Sequence, residues 1–296
     1  MIIKRGIVFN SDMKIANNKT AIGNPASVVI LENQEDLKNT ELLQSISIKE
    51  NQPITCFIKQ KTKNNEFNVR FFSPSGDEVN ICGHGSLVSG RILKEYFKIK
   101  EKEIILHLNK DICLGTMLES EDPTETIYIE NDGEISIKLF RIPFDKSKLN
   151  KKEVFVLQNI IKILGLTGND IQDYVKCDEY HDLILILKDM NKLRNLDPDF
   201  EAMIPYCQQI KDLRSITISA KSNLKDFDYE TRAFGPVIKP NEDKICVSMN
   251  SILGDYWSRK LNKNDLNVLY PYHWNENICG GVQHINVENK CIVLQV

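Results

Sequence analysis

Two of the chain's eight cysteines stand in the same local frame. Glu78-Val79-Asn80-Ile81-Cys82 and Glu242-Asp243-Lys244-Ile245-Cys246 share Glu-x-x-Ile-Cys, and each leads into an amphipathic run. The first continues as Gly83-His84-Gly85-Ser86, so a thiol, an imidazole and two glycines are adjacent; the second continues as Val247-Ser248. At a helix start several backbone N–H groups lack intrahelical partners and the dipole end is positive, which favours a thiolate and can hold a carboxylate. Glycine lets a ligand approach such a backbone. If the two halves of the chain pack face to face, Cys82 and Cys246 flank one pocket for a small carboxylate. One sulfur can then take a proton from carbon while the other returns one to the opposite face, which is acid–base catalysis needing neither metal nor cofactor. Blander readings stay open beside this one. Cys82 can be a buried strand-end thiol, His84 a cap satisfied by backbone rather than a donor or proton carrier, and Asp243 a turn residue rather than an acid–base group.

The elements that must position these residues repeat with them. Arg70-Phe-Phe-Ser-Pro74 precedes the first frame and Arg232-Ala-Phe-Gly-Pro236 the second. Runs of branched and aromatic residues at 27–31, 55–59, 67–72 and 103–108 read as strands, and the second half repeats the pattern in EISIKLF, DLILILK and SITISA. Periodicity places helices over 41–50 and 153–164. After the cysteines, Leu87, Val88, Ile92, Leu93 and Tyr96 share one face, as do Met249, Ile252, Leu253, Tyr256, Trp257 and Leu261, so central helices are expected to begin near Leu87 and Ser251. The acidic stretch 119–132, with Pro123, is the expected crossing. The expected architecture is α/β (α+β) in two pseudo-symmetric lobes, each a bent mixed sheet around a central helix. Residues 1–118 with 288–296 form the first lobe and 119–287 the second.

Composition removes several classes. A chain of 296 residues with 42% hydrophobic and 27% charged residues can bury a core, and its net charge of −3 leaves no footprint for nucleic acid. No apolar run reaches the roughly 20 residues of a membrane span. No signal core opens the sequence and no CxxC pair occurs, so a reducing, cytoplasmic setting is expected. In GHGSLVSG, Val88 stands where a dinucleotide-binding loop needs its third glycine, and Leu87 precludes a nucleophile elbow at Ser89. His273, Cys279 and His284 fit no common metal-ligand spacing.

The sequence resembles the phenazine-biosynthesis-like (PhzF) family, which shares the diaminopimelate epimerase-like fold. The resemblance is carried by GNPASVVIL (23–31), LQSIS (43–47), RFFSPSGDEVNICGHGSL (70–87), DYETRAFGP (228–236), EDKICVSMNSILGDYW (242–257) and Gly280-Gly281. It implies a cofactor-independent isomerase shifting a proton on a small carboxylate metabolite, working as a homodimer. His84 and Asp243 match active-site positions of the family, and Ser248 its serine at the second helix start; Gly83, Gly85 and Val247 fall among the substrate-binding positions. Two positions depart: Ile54 stands where the family carries a catalytic glutamate, and Val247 replaces a glycine. Cys246, usually threonine in the family, resembles the catalytic cysteine of diaminopimelate epimerases and proline racemases, and the ICGHG stretch is also similar to the latter. Three functions are therefore expected as alternatives: an isomerase or epimerase using Cys82/Cys246 or Asp243/His84, a cysteine-based amino-acid racemase, and a degenerate relative that binds without turnover.

Overall fold

The computed structural model describes the chain except residues 16–18, 115–117, 131, 146–148, 212, 238–240 and 277, and gives backbone only for 11–14. Two compact units emerge: unit 1 is Met1–Val8, Asn24–Leu139 and Val293–Val296, and unit 2 is Phe9–Gly23 and Phe140–Ile292.

In unit 1 Ile2–Val8 runs antiparallel to Asn24–Ile30, which is parallel to Thr55–Gln60. Thr55–Gln60 is antiparallel to Glu66–Phe72; that strand is parallel to Glu103–His107, itself antiparallel to Thr124–Ile129. The acidic stretch 119–132 thus contributes a strand internal to unit 1. The short Glu78–Val79 strand adds to Glu66–Phe72. Parallel neighbours need a crossover, and the helices Gln34–Lys38 and Thr40–Glu50 supply the first, Gly83–Tyr96 the second. Beneath the first crossover Val29, Leu37, Leu43, Phe57 and Phe72 form an apolar cluster, with Phe57 and Phe72 edge to face.

Unit 2 follows the same pairing order. Ile171–Cys177 is antiparallel to Asp182–Leu187, which is parallel to Ser215–Lys221. Ser215–Lys221 is antiparallel to Tyr229–Phe234; that strand is parallel to Asp265–Tyr270, which is antiparallel to Gly281–Val287. Glu242–Asp243 adds to Tyr229–Phe234 just as Glu78–Val79 adds to its counterpart. The crossovers are Met190–Arg194 with Phe200–Cys207, and Asn250–Leu261.

The helix starts differ from the periodicity reading in an informative way. The first begins at Gly83, four residues before Leu87, because Cys82 adopts an extended conformation (φ −145°, ψ 100°) and serves as N-cap. Its glycines therefore belong to the first turn rather than to a preceding loop. The second begins at Asn250 with Met249 as N-cap, so Cys246 lies three residues outside the helix. Both helices carry a glycine eight residues after the cysteine. A methyl group on Gly90 would lie 2.8 Å from Ile127 Cγ2, and one on Gly254 2.9 Å from Ile292 Cδ1. Each glycine lets its helix settle onto the sheet of its own unit, a part of the repeat that periodicity alone does not reveal.

Candidate active site

The arginine and glutamate of each repeat form a clamp. Arg70 Nε and Nη2 donate to the two carboxylate oxygens of Glu78 at 2.8 and 2.5 Å, and Nη1 donates to the Leu37 carbonyl. Arg232 meets Glu242 at 2.7 and 2.9 Å and donates to the Leu193 and Leu196 carbonyls. Both pairs are largely buried. Each ties a strand to the end of the preceding crossover helix and fixes the two-residue strand from which the cysteine turn departs. The glutamates of Glu-x-x-Ile-Cys are thus structural.

In unit 1 the turn brings Cys82 Sγ to 3.3 Å from Nδ1 of His84. Cys82 and Gly83 are partly exposed, whereas His84 and Gly85 are buried. The helix has no side-chain cap, so its first-turn amides have no acceptor within the helix and the positive dipole end is at Cys82. A methyl group on Gly85 would lie 2.9 Å from Cys56 Sγ, 3.1 Å from Ile54 Cγ2 and 3.5 Å from Cys82 Sγ. Gly85 therefore makes room for neighbouring side chains of unit 1, and Gly83 is the glycine that presents surface. Ile54 is buried in this packing, an aliphatic side chain with no proton to give.

In unit 2 Asp243 is partly exposed, and its Oδ1 accepts the Ile245 N–H at 3.1 Å, which closes the turn before Cys246. Cys246 is 8% exposed and lies 3.6 Å from Ser248 Oγ. Burial pushes its thiol up to about 12, the Asp243 charge adding to the rise and Arg214 opposing it. An acidic thiol was expected here from a helix start; the helix begins too late to supply one. Val247 is buried, so of the two residues following the cysteine it is Ser248 that presents surface.

The sequence reading missed Arg214. Its Nη2 donates to Ser248 Oγ at 3.1 Å and to Asp182 at 2.5 Å, while Nε donates to the other Asp182 oxygen at 3.2 Å. Asp182 is fully buried and holds the guanidinium charged, and the Tyr180 ring lies 5.3 Å from it. The Arg214 side chain is still 37% exposed, which leaves a cation at the surface beside Ser248. No motif marks Arg214; only the register of the strand that follows it, Ser215–Lys221 beside Asp182–Leu187, brings it there. Gly280 and Gly281 support the same turn: a methyl group on Gly280 would lie 2.2 Å from the Lys244 carbonyl oxygen, and one on Gly281 2.4 Å from Ile245 Cδ1. Among the described residues no group of three His, Cys, Asp or Glu side chains gathers to hold a metal ion.

These features define a duplicated mixed α/β fold that presents, once in each unit, a cysteine turn before a central helix. The chain belongs to the phenazine biosynthesis-like protein family, whose sequence profile matches residues 17–272. It is 27% identical over 248 residues to an uncharacterized isomerase of Halalkalibacterium halodurans, covering 84% of this chain and 81% of that protein. It is also 27% identical over 259 residues to a phenazine biosynthesis-like domain-containing protein of Bos taurus, covering 83% and 82%. Among solved structures, a putative phenazine biosynthesis protein from Clostridium difficile matches with a TM-score of 0.72 at 20% identity, covering 99% of this chain and 95% of that one. A PhzF-family protein from Enterococcus faecalis matches at 0.70 and 21% identity, covering 92% and 88%. The expected α/β, diaminopimelate epimerase-like fold is the one observed.

Proposed function

We propose that this chain is a cofactor-independent isomerase that moves a proton on a small carboxylate-bearing metabolite. The observation that carries the reading is the Cys82–His84 contact at an uncapped helix start. A carbon acid next to a carboxylate loses its proton only if the developing negative charge is stabilised, and first-turn amides with a positive dipole end supply that stabilisation. Cys82, hydrogen-bonded to His84, is a thiol–imidazole pair suited to accept and return a proton.

Within unit 2 the acid–base group is Asp243 rather than Cys246. It is partly exposed and carries its own turn hydrogen bond, whereas Cys246 is buried and its thiol is pushed up to about 12. A thiol held that far above neutrality is a poor base. The buried Cys246 thiol supports a PhzF-like isomerase reading over a racemase that works with two cysteines. Ser248 and Arg214 are substrate-facing groups that match a carboxylate.

The test is solvent-proton incorporation. The protein is incubated in heavy water with a panel of cyclic and acyclic carboxylic acids and amino acids, and each is followed by NMR for deuterium at a carbon. One compound is expected to exchange and rearrange. Cys82→Ser, His84→Ala and Asp243→Asn are each expected to lower the rate at least about 100-fold, the scale of one general acid–base group. Cys246→Ser is expected to stay within about threefold of wild type. Equal loss in Cys246→Ser and Asp243→Asn would restore the two-thiol mechanism. No exchange with any acid, together with a raised melting temperature for one of them, would make the chain a binding protein.

A further inference from the structure

Glu125 is a carboxyl group that the fold buries without a cationic partner among the described residues. It lies on Thr124–Ile129, is 6% exposed, and its Oε2 accepts from Ser86 Oγ. Its Oε1 has no hydrogen-bond partner among the described residues. Among the described residues no lysine, arginine or histidine pairs with it, and a titratable group that feels its charge is Cys56, on Thr55–Gln60. Burial raises its pKa from 4.5 to about 7, with the Ser86 bond opposing the rise. A buried carboxyl with one serine partner is costly to keep ionised, so this group changes charge close to neutral pH.

Its place in unit 1 connects that change to the cysteine turn. Ser86 is the residue whose N–H closes the first helical hydrogen bond, onto the Cys82 carbonyl at 2.8 Å. Glu125 therefore holds the side chain of the residue whose backbone holds Cys82. The second line of contact runs through Cys56, whose sulfur and that of Cys82 both face Gly85. The neutral acid leaves the positive helix end beneath Cys82 uncompensated; the carboxylate places a negative charge behind it.

We propose that Glu125 is a positioning residue for the Cys82–His84 pair, its carboxyl fixing the first helical turn through Ser86 and its charge setting how readily Cys82 becomes a thiolate. This rests on Cys82 being the reactive thiol of the proposed function. It is tested by chemical labelling, so that it can fail while the isomerase reading stands, and the reverse.

The experiment follows iodoacetamide labelling of Cys82 alone, by peptide-resolved mass spectrometry, between pH 5.5 and 8.5. Glu125→Gln is a neutral isostere at every pH. Ionised Glu125 disfavours a nearby thiolate, so the variant is expected to label about threefold faster than wild type at pH 8.5, the effect of roughly half a pKa unit. At pH 5.5, where Glu125 is already neutral, the two rates should coincide. Ser86→Ala leaves the carboxyl but cuts its link to the turn; Cys82 labelling is expected to change at every pH while an inflection near pH 7 persists. A purely structural Glu125 would shift labelling by the same factor at all pH values, and that result overturns the proposal. If Glu125→Gln does not fold, His84→Ala carries the test: with the imidazole gone, an inflection near pH 7 in Cys82 labelling is expected to persist, and its absence overturns the proposal equally.

Discussion

The chemistry of the two cysteines separates on one geometric difference. Cys82 is the N-cap of its helix and partly exposed; Cys246 is three residues short of its N-cap and buried. The shared Glu-x-x-Ile-Cys frame made them look equivalent. Sequence shows which residues repeat, but not at which residue a helix takes up its first turn, and the field at a thiol depends on that choice. Glu125 was equally invisible, since a lone glutamate in an acidic stretch reads as surface. Its burial has a consequence for stability. A carboxyl whose pKa rises from 4.5 unfolded to about 7 folded favours the folded state when protonated. That contribution is fully present below about pH 4.5 and is lost as pH rises to about 7. Glu125→Gln mimics the protonated form, so denaturant titrations should show it more stable than wild type at pH 8, by on the order of 3 kcal/mol, and similar at pH 4. A constant difference at both pH values would mean that the carboxyl does not titrate in this range.

Strands and central helices were legible because each rests on a local pattern: branched runs for the strands, and a 3.6-residue apolar face for Gly83–Tyr96 and Asn250–Leu261. What stayed hidden depends on contacts distant in sequence. The Arg70–Glu78 and Arg232–Glu242 clamps are spaced eight and ten residues apart and need the two-residue strands to meet. The glycines likewise acquire meaning from what lies opposite them. On Gly254, alanine would press on the flexible end of Ile292, while helix propensity gains about 1 kcal/mol. On Gly280, alanine would meet the Lys244 carbonyl at 2.2 Å, and backbone cannot yield as a side-chain tip can. Thermal denaturation should therefore find Gly254→Ala within about 1 kcal/mol of wild type and Gly280→Ala less stable by about 1–3 kcal/mol. Gly280→Ala should also lose turnover, because the displaced turn carries Asp243. Retained turnover in this variant would show that the turn does not need its observed position.

Over the whole molecule, the repetition of pairing order is the deepest regularity: antiparallel, parallel, antiparallel, parallel, antiparallel in each unit, with helices at the two parallel steps. The sequence hinted at this through short matching motifs, and its reading already returned the C-terminal residues to the first lobe, yet it did not show that the N-terminal segment is divided between the units. Met1–Val8 belongs to unit 1 and Phe9–Gly23 to unit 2, so the first 23 residues serve both. Ile2–Val8 pairs residue for residue with Asn24–Ile30, Val8 is fully buried, and Gly6 faces Val88 of the central helix. In unit 2, Lys19–Ala21 pairs with Ile278–Cys279, and Gly23 N–H donates to the Gly280 carbonyl at 2.7 Å, beside the turn that leads to Cys246. Deleting residues 1–23 therefore strips a sheet edge from one unit and support from the glycine pair of the other. Amide hydrogen exchange on such a truncated chain should show lost protection in both Asn24–Ile30 and 278–281, and its melting temperature should fall by more than 10 °C, since several kcal/mol of pairing and burial are removed at once. Loss confined to Asn24–Ile30 would show that the second unit closes its cysteine turn without the N-terminal segment.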